Sequence, residues 1–358
     1  MKVKIAVVGL GNVGRSLMQM WGQLELWASG IGADIFLIAA LDSSGGIFSQ
    51  KGINPSIVLR EKVSFNEISR SKLSKKIDAK YVIEKLHPDI LIDLTPTNVK
   101  DGEPGFSNVL CALNQGVNVI VSSKNHLRSI KAMQKVEKLA EKKHAMFLDG
   151  ASVMGGTPVF EMFDGINSEI IEVRAILNGS TNYILCKLQE TGFQSALNDA
   201  IKRGYAEADY EYDVKGYDSA LKVVGLCNRI FNKKIGRTDV RLFGIDKSHL
   251  GIEGIDQPLI QKLKNEGKTI KLVCKISEEA GSIKASVGPE ILSKTDSLAN
   301  IDSINNAIEI KGKANNSELN LFLAGPGSGG DVTASRVAGN LKKMLKELKR
   351  CENAKHKD

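Results

Sequence analysis

Between Gly204 and Lys222 the chain reads GYAEADYEYDVKGYDSALK, with five carboxylates and four of the protein's six tyrosines, and it ends on a lysine. Carboxylates suit a bound ammonium, and a lysine can hand a proton to a carbonyl oxygen when its surroundings bring its pKa toward the operating pH. Asp218 and Lys222 stand four apart at the start of an apolar stripe, Ala220, Leu221, Val224, Cys227 and Phe231, so both fall on one face of a helix. Taken alone, such a pair is an ordinary helix-surface ion pair worth roughly 0.3–0.5 kcal/mol.

A second constellation opens the chain. GLGNVG places Gly9, Gly11 and Gly14 at G-x-G-x-x-G spacing, directly after the apolar run VKIAVVG and before a helix that starts near Asn12 and Val13. The first glycine permits a tight turn, the second lets backbone approach a pyrophosphate, and the third lets helix and strand pack closely. This is a dinucleotide-binding loop. The next strand, ADIFLIAALD, ends at Asp42, where a carboxylate can accept from the ribose hydroxyls of NAD; Ser43, Ser44 and Lys51 can instead serve the 2′-phosphate of NADP. Either cofactor, NAD or NADP, is compatible with this pattern.

The rest of the composition narrows the class. With 358 residues, 42% hydrophobic and 25% charged, the chain is long enough for two domains and has ordinary globular values. No apolar run approaches the ~20 residues that cross a bilayer, so no membrane role is expected. The net charge of +8 is spread along the chain. Its densest lysine run belongs to an amphipathic C-terminal helix with Leu341, Met344, Leu345 and Leu348 on one face, so nucleic-acid binding is not expected. Five scattered cysteines without Cys-x-x-Cys spacing indicate a reducing, cytoplasmic setting, and the five histidines have no ligand spacing for zinc.

These groups need elements to hold them. Apolar strand patterns at VKIAVV, ADIFLIAALD, DILIDLT, VNVIVSS and AMFLDG alternate with helical stretches, which is the pattern of a Rossmann doubly wound parallel sheet, an α/β domain over 1–149. From 150 to 320 the strands become more polar and alternating, as in an α+β catalytic domain with a mixed sheet. Residues 321–358 are expected to return to the first domain as a helix. Thr95 and Lys124 each follow a buried strand, at the carboxyl ends where open α/β sheets bind ligands. The polar groups of LNGSTNYIL, Asn178, Ser180, Thr181 and Asn182, read as helix caps.

Taken together, the glycine loop, DLTPTNVKDGEPG, GVNVIVSSKNHL, GASVMGGTPV, LNGSTNYIL, the acidic stretch and GPGSGGDVTA resemble, in order, the homoserine dehydrogenase family in its short form, without an aspartate kinase or ACT domain. The resemblance implies NAD(P)-dependent interconversion of L-aspartate 4-semialdehyde and L-homoserine, on the route to threonine and methionine, by a homodimer. It implies Lys222 as proton donor, Glu207, Asp213 and Asp218 as substrate contacts, and Lys124 beside substrate and nicotinamide. Thr95 and Gly327 become cofactor contacts. A monovalent cation, Na+, would be held by Val153, Gly155 and Thr157. The chain departs from the pattern at Ser123, usually asparagine, at Tyr210, usually proline, and at Gly150, where many members carry a cation-binding glutamate. An aspartate-semialdehyde dehydrogenase would need an activated cysteine, and Cys111, Cys186 and Cys274 all lie in apolar patterns. A non-catalytic NAD-binding sensor is the other alternative, which the intact acidic and lysine positions disfavour.

Overall fold

In the computed structural model, which describes residues 1–188, 190–206 and 210–355, the apolar N-terminal run forms β1 (Lys2–Val8). It is central to a six-stranded sheet with β2 (Asp34–Asp42), β3 (Gly45–Phe48), β4 (Ile90–Asp93), β5 (Asn118–Val121) and β6 (Phe147–Leu148). The order is β3-β2-β1-β4-β5-β6, parallel except for the β2/β3 hairpin. All four residues of β4 are buried, as expected for a parallel strand covered on both faces. Strand order reverses between β1 and β4, and that switch point is where such sheets bind ligands. The helix Asn12–Gln19 follows β1, and the helix Gly330–Lys355 lays Ala334, Val337, Leu341, Met344 and Leu345 into the same core.

The second sheet comprises β7 (Glu169–Ile176), β8 (Val240–Leu242), β9 (Lys268–Glu279), β10 (Ser282–Ser293), β11 (Asn305–Ala314) and β12 (Ser317–Pro326). Its order is β12-β11-β7-β9-β10-β8, antiparallel except for the β10/β8 pair. The helices Gly179–Lys187 and Tyr217–Ile230 lie against β9. A Cβ at Gly179 would stand 2.5 Å from the Ile304 carbonyl oxygen, so only glycine allows that close approach. Asn182 holds the contact by donating through Nδ2 to the carbonyls of Ile301 and Ser303, both at 3.0 Å.

The chain divides into Met1–Gly156 with Gly329–Asp358, and Thr157–Ser328. The C-terminal return therefore starts later than residue 321. SELNLFLAGP is the last strand of the second sheet, and its alternating half-buried pattern is that of an edge strand with weak hydrophobic contrast. Among the described residues no helix is long and apolar enough to cross a membrane.

Candidate active site

Within the second unit, Asp213 and Asp218 of the acidic stretch join one hydrogen-bonded cluster, while Glu211 is exposed. Gly216 starts the helix Tyr217–Ile230 at φ +86°, a conformation that favours glycine, and its Cβ would crowd Val287 at 3.1 Å. One turn into the helix, Asp218 and Lys222 are both buried, with Nζ 2.7 Å from Oδ2. Lys222 also donates to the Leu177 carbonyl oxygen at 2.6 Å, just past the end of β7. The next residue, Asn178, caps the helix Gly179–Lys187 by accepting from Thr181 N at 2.8 Å. Its Nδ2 donates to Asp213 Oδ1 at 2.8 Å and to Asp218 Oδ2 at 3.0 Å. Asn178 is thus more than the helix cap its sequence position suggests: it yokes the two carboxylates.

The electrostatics of this cluster are unbalanced. Burial, and then the neighbouring Asp218, push the Asp213 pKa above the ordinary carboxyl value. Two carboxylates against one lysine leave an excess of one negative charge when all are ionised, which suits a ligand ammonium. Burial and then Asp218 also raise the Tyr212 phenol. Beneath the cluster, burial pushes the Cys274 thiol up to about 12, and burial raises Cys111 and Cys186 as well. None of these three offers the thiolate that an aspartate-semialdehyde dehydrogenase requires. Glu207 lies outside the described residues.

In the first unit the glycine loop has the geometry of a phosphate cradle. Gly9 sits at φ +103° and donates from N to the Leu41 carbonyl oxygen at 2.8 Å; a Cβ there would stand 2.7 Å from the Leu94 carbonyl. A Cβ at Gly14 would collide with the Gly9 carbonyl, whereas nothing lies within 4 Å of the Cβ position of Gly11. The helix Asn12–Gln19 has no side-chain cap and no acidic residue in its first turn, so its N-terminal amides suit an anion. Asn12 accepts instead from Arg15 Nη2 at 2.6 Å, and Val13 packs on the core. The residues present therefore fit a dinucleotide pyrophosphate.

Asp42 ends β2 as expected, but its carboxylate already accepts four hydrogen bonds. Oδ1 takes Ser44 N at 2.8 Å and Ser44 Oγ at 2.5 Å; Oδ2 takes Lys62 Nζ at 2.5 Å and Ile68 N at 3.0 Å. Burial opposes ionisation, yet the bonds from Lys62, Ser44 and Ile68 outweigh it and lower the pKa. The lysine at this end of the sheet is Lys62, on the helix Pro55–Phe65, while Lys51 is exposed.

Thr95 and Lys124 lie past the carboxyl ends of β4 and β5, with Lys124 N donating to Thr97 Oγ1 at 3.1 Å. Gly150 faces Asn340 Oδ1 and Arg336 Nη2, which would stand 2.7 and 2.8 Å from a Cβ. A guanidinium and an amide thus fill the space a glutamate there would need, so that position offers a cation no carboxylate. Among the described residues no cluster of three His, Cys, Asp or Glu side chains is placed to hold a metal. In the second unit a Cβ at Gly327 would strike the side-chain amide of Asn306. That amide is fully buried, and neither Nδ2 nor Oδ1 has a hydrogen-bond partner.

Comparison with known proteins identifies the family. The homoserine dehydrogenase family profile matches residues 158–341. The homoserine dehydrogenase of Sulfurisphaera tokodaii is 31% identical over 329 residues, 91% of this chain and 93% of that protein. The chain belongs to the homoserine dehydrogenase family. A second member, the NAD(+)-dependent homoserine dehydrogenase of Pseudomonas canavaninivorans, is 31% identical over 352 residues, 94% of this chain and 95% of its own. A hyperthermophilic archaeal homoserine dehydrogenase solved in complex with NADPH superposes with a TM-score of 0.79 at 25% identity, covering 96% of this chain and 97% of that one. Like other homoserine dehydrogenases, the protein is an NAD(P)-dependent oxidoreductase acting on a hydroxyl group.

Proposed function

We propose that the protein interconverts L-aspartate 4-semialdehyde and L-homoserine, with Lys222 delivering the proton to the aldehyde oxygen and Asp218 and Asp213 receiving the substrate ammonium. The observation that carries this is the Asp213–Asn178–Asp218–Lys222 cluster, in which two carboxylates share one amide and stand against a single buried lysine. A bound nicotinamide supplies the hydride, and a hydride plus a proton convert the aldehyde to the alcohol. Asp218 orients the ammonium of Lys222, the Leu177 carbonyl fixes its second direction, and the substrate oxygen takes the third. Glu207 is assigned to the substrate ammonium on the family pattern. Lys124 and Thr95 are assigned to the nicotinamide end, Gly9, Gly11, Asn12, Val13 and Gly14 to the pyrophosphate, Asp42 with Lys62 to the adenosine ribose, and Gly327 to the cofactor.

No step is routed through a monovalent cation. Val153 and Gly155 offer backbone carbonyls, Thr157 a carbonyl and a hydroxyl that donates to the Pro326 carbonyl oxygen at 3.4 Å, and turnover in sodium-free buffer that matches turnover in sodium would remove the ion from the reaction. We further assign the half-exposed face of the second sheet, with Glu172 paired to Lys275 and Lys311 at 3.6 Å beside Ile171, to a homodimer contact. Mass measured in solution by light scattering tests that assignment. The activity itself is tested by NAD(P)H formation with L-homoserine. Absence of turnover with both cofactors in folded protein would overturn the reading in favour of a non-catalytic NAD-binding protein.

A further inference from the structure

Asp93 ends β4, is fully buried, and takes no part in the chemistry above. An ionisable group in such a place is costly unless its oxygens are well hydrogen-bonded. Oδ1 accepts from Thr95 N at 3.0 Å and from Thr95 Oγ1, and Oδ2 accepts from Asn108 Nδ2 at 2.8 Å on the helix Gly105–Asn114. Burial raises its pKa against the pull of the bonds from Thr95 and Asn108.

The carboxyl group anchors a larger assembly. Gly105, the first residue of that helix, has no room for a Cβ, because Thr95 Oγ1 and Asn125 Nδ2 crowd the position. Asn125 Oδ1 accepts from Asn98 N at 2.8 Å, while its Nδ2 donates to Ser123 Oγ at 3.1 Å and to the Pro96 carbonyl oxygen at 3.3 Å. With Lys124 N on Thr97 Oγ1, the loop after β4 and the loop after β5 form one hydrogen-bonded body. Those loops carry Thr95 and Lys124, at the ends of parallel strands where ligands bind.

We propose that Asp93 is a positioning residue for hydride transfer: through Thr95 and the shared loop network it fixes the surface on which the nicotinamide end of the cofactor rests, without touching cofactor or substrate. The inference rests on the assignment of Thr95 and Lys124 to that end. The site requires acceptors in both directions, toward Thr95 and toward Asn108. A leucine at 93 keeps nearly the same shape and offers no acceptor to Thr95 or to Asn108, so it breaks the anchor, whereas an asparagine keeps its oxygen toward Thr95 and meets Asn108 through a flip of that amide.

The test uses the full chain and three variants, Asp93→Leu, Asp93→Asn and Asn108→Leu. Leucine at 93 removes the acceptors for Thr95 and Asn108 together, leucine at 108 removes only the donor to Oδ2, and asparagine at 93 keeps an oxygen toward Thr95 and donates to the flipped amide oxygen of Asn108. Asp93→Leu is expected to weaken NADH affinity, read by fluorescence titration, and kcat/KM for the cofactor by about tenfold or more, with Asp93→Asn within about threefold of wild type. A folded Asp93→Leu protein with wild-type NADH affinity and kcat/KM would overturn the proposal. So would an Asp93→Asn protein that keeps its thermal stability but loses NADH affinity and kcat/KM as the leucine variant does, because the hydrogen bonds would then not carry the effect. If Asp93→Leu does not accumulate as folded protein, Asn108→Leu decides by the same two readouts. Should wild type bind NADH but not turn over homoserine, the functional reading fails, while NADH affinity across the variants still decides the role of Asp93.

Discussion

The molecule contains two aspartate–lysine pairs of nearly the same geometry and depth. Lys62 lies 2.5 Å from Asp42, with side chains 11% and 9% exposed; Lys222 lies 2.7 Å from Asp218, with side chains 10% and 11% exposed. Their surroundings differ. Around Asp42 every partner is a donor, two from Ser44 and one each from Lys62 and Ile68, so charge and hydrogen bonds close within the chain and the carboxyl pKa falls. Around Asp218 stands a second carboxylate, Asp213, which shares the amide of Asn178 and has its pKa raised by burial and then by Asp218. A closed network holds its loop in place and meets the ribose only by giving up one of these bonds, whereas one that carries surplus charge is completed by a ligand. An ion pair therefore identifies a reactive site less by its own distance than by what its neighbours leave uncompensated.

The strongest way to break this comparison is to remove each lysine in turn. Lys222→Ala is expected to lower kcat by about 10² or more, the usual scale of a general acid, with NAD(H) affinity little changed. Lys62→Ala should leave kcat at saturating cofactor near wild type and alter cofactor affinity instead. Equal losses of kcat in the two variants would show that the pairs do not differ in role.

Cofactor choice sharpens the Asp42 side. Asp42→Ser takes the carboxylate away from Lys62, leaving a lysine and a hydroxyl at the end of β2. The ratio of kcat/KM for NADP to that for NAD should rise by the equivalent of about 1–3 kcal/mol, as for gaining charge-assisted hydrogen bonds. An unchanged ratio would mean that this carboxylate serves only the turn it holds together.

Much of each unit was legible where its signals are local. The glycine spacing, the buried run before it and the i,i+4 pair at Asp218 and Lys222 each lie within one element. Contacts made across the chain were not legible in the same way. Asn178 reaches Asp218 over a separation of 40 residues, and Lys62 reaches Asp42 over 20, on a helix whose polar face carries no other signal. Asp93 did leave a trace, a carboxylate inside the otherwise apolar DILIDLT, which is where an obligatory buried partner should be sought. The edge strand Ser317–Pro326 runs across the expected boundary at residue 321, because its alternation is too shallow to mark one.

The smallest effect tests the surplus charge directly, through Asp213→Asn. The substitution keeps an acceptor for Asn178 Nδ2 but removes the second negative charge, so the cluster becomes neutral and KM for homoserine should rise by about tenfold, or ~1.4 kcal/mol. Stability should move the other way. The folded pKa of Asp213 is raised above the ordinary aspartate value of 3.8, so the folded wild type holds this proton more tightly than the unfolded chain does. The associated stability is present below pH 3.8 and is lost as pH rises through the folded value, beyond which the buried charge is carried at full cost. Asparagine has no such loss. Melting temperatures of the two proteins should therefore converge toward acid pH and separate at neutral pH, with the variant the higher of the two. Saturating homoserine should narrow the gap at neutral pH, because the substrate ammonium compensates the wild-type charge. A variant less stable than wild type at neutral pH, or a gap that homoserine leaves unchanged, would place the compensation of Asp213 inside the protein and make the two aspartate–lysine pairs alike.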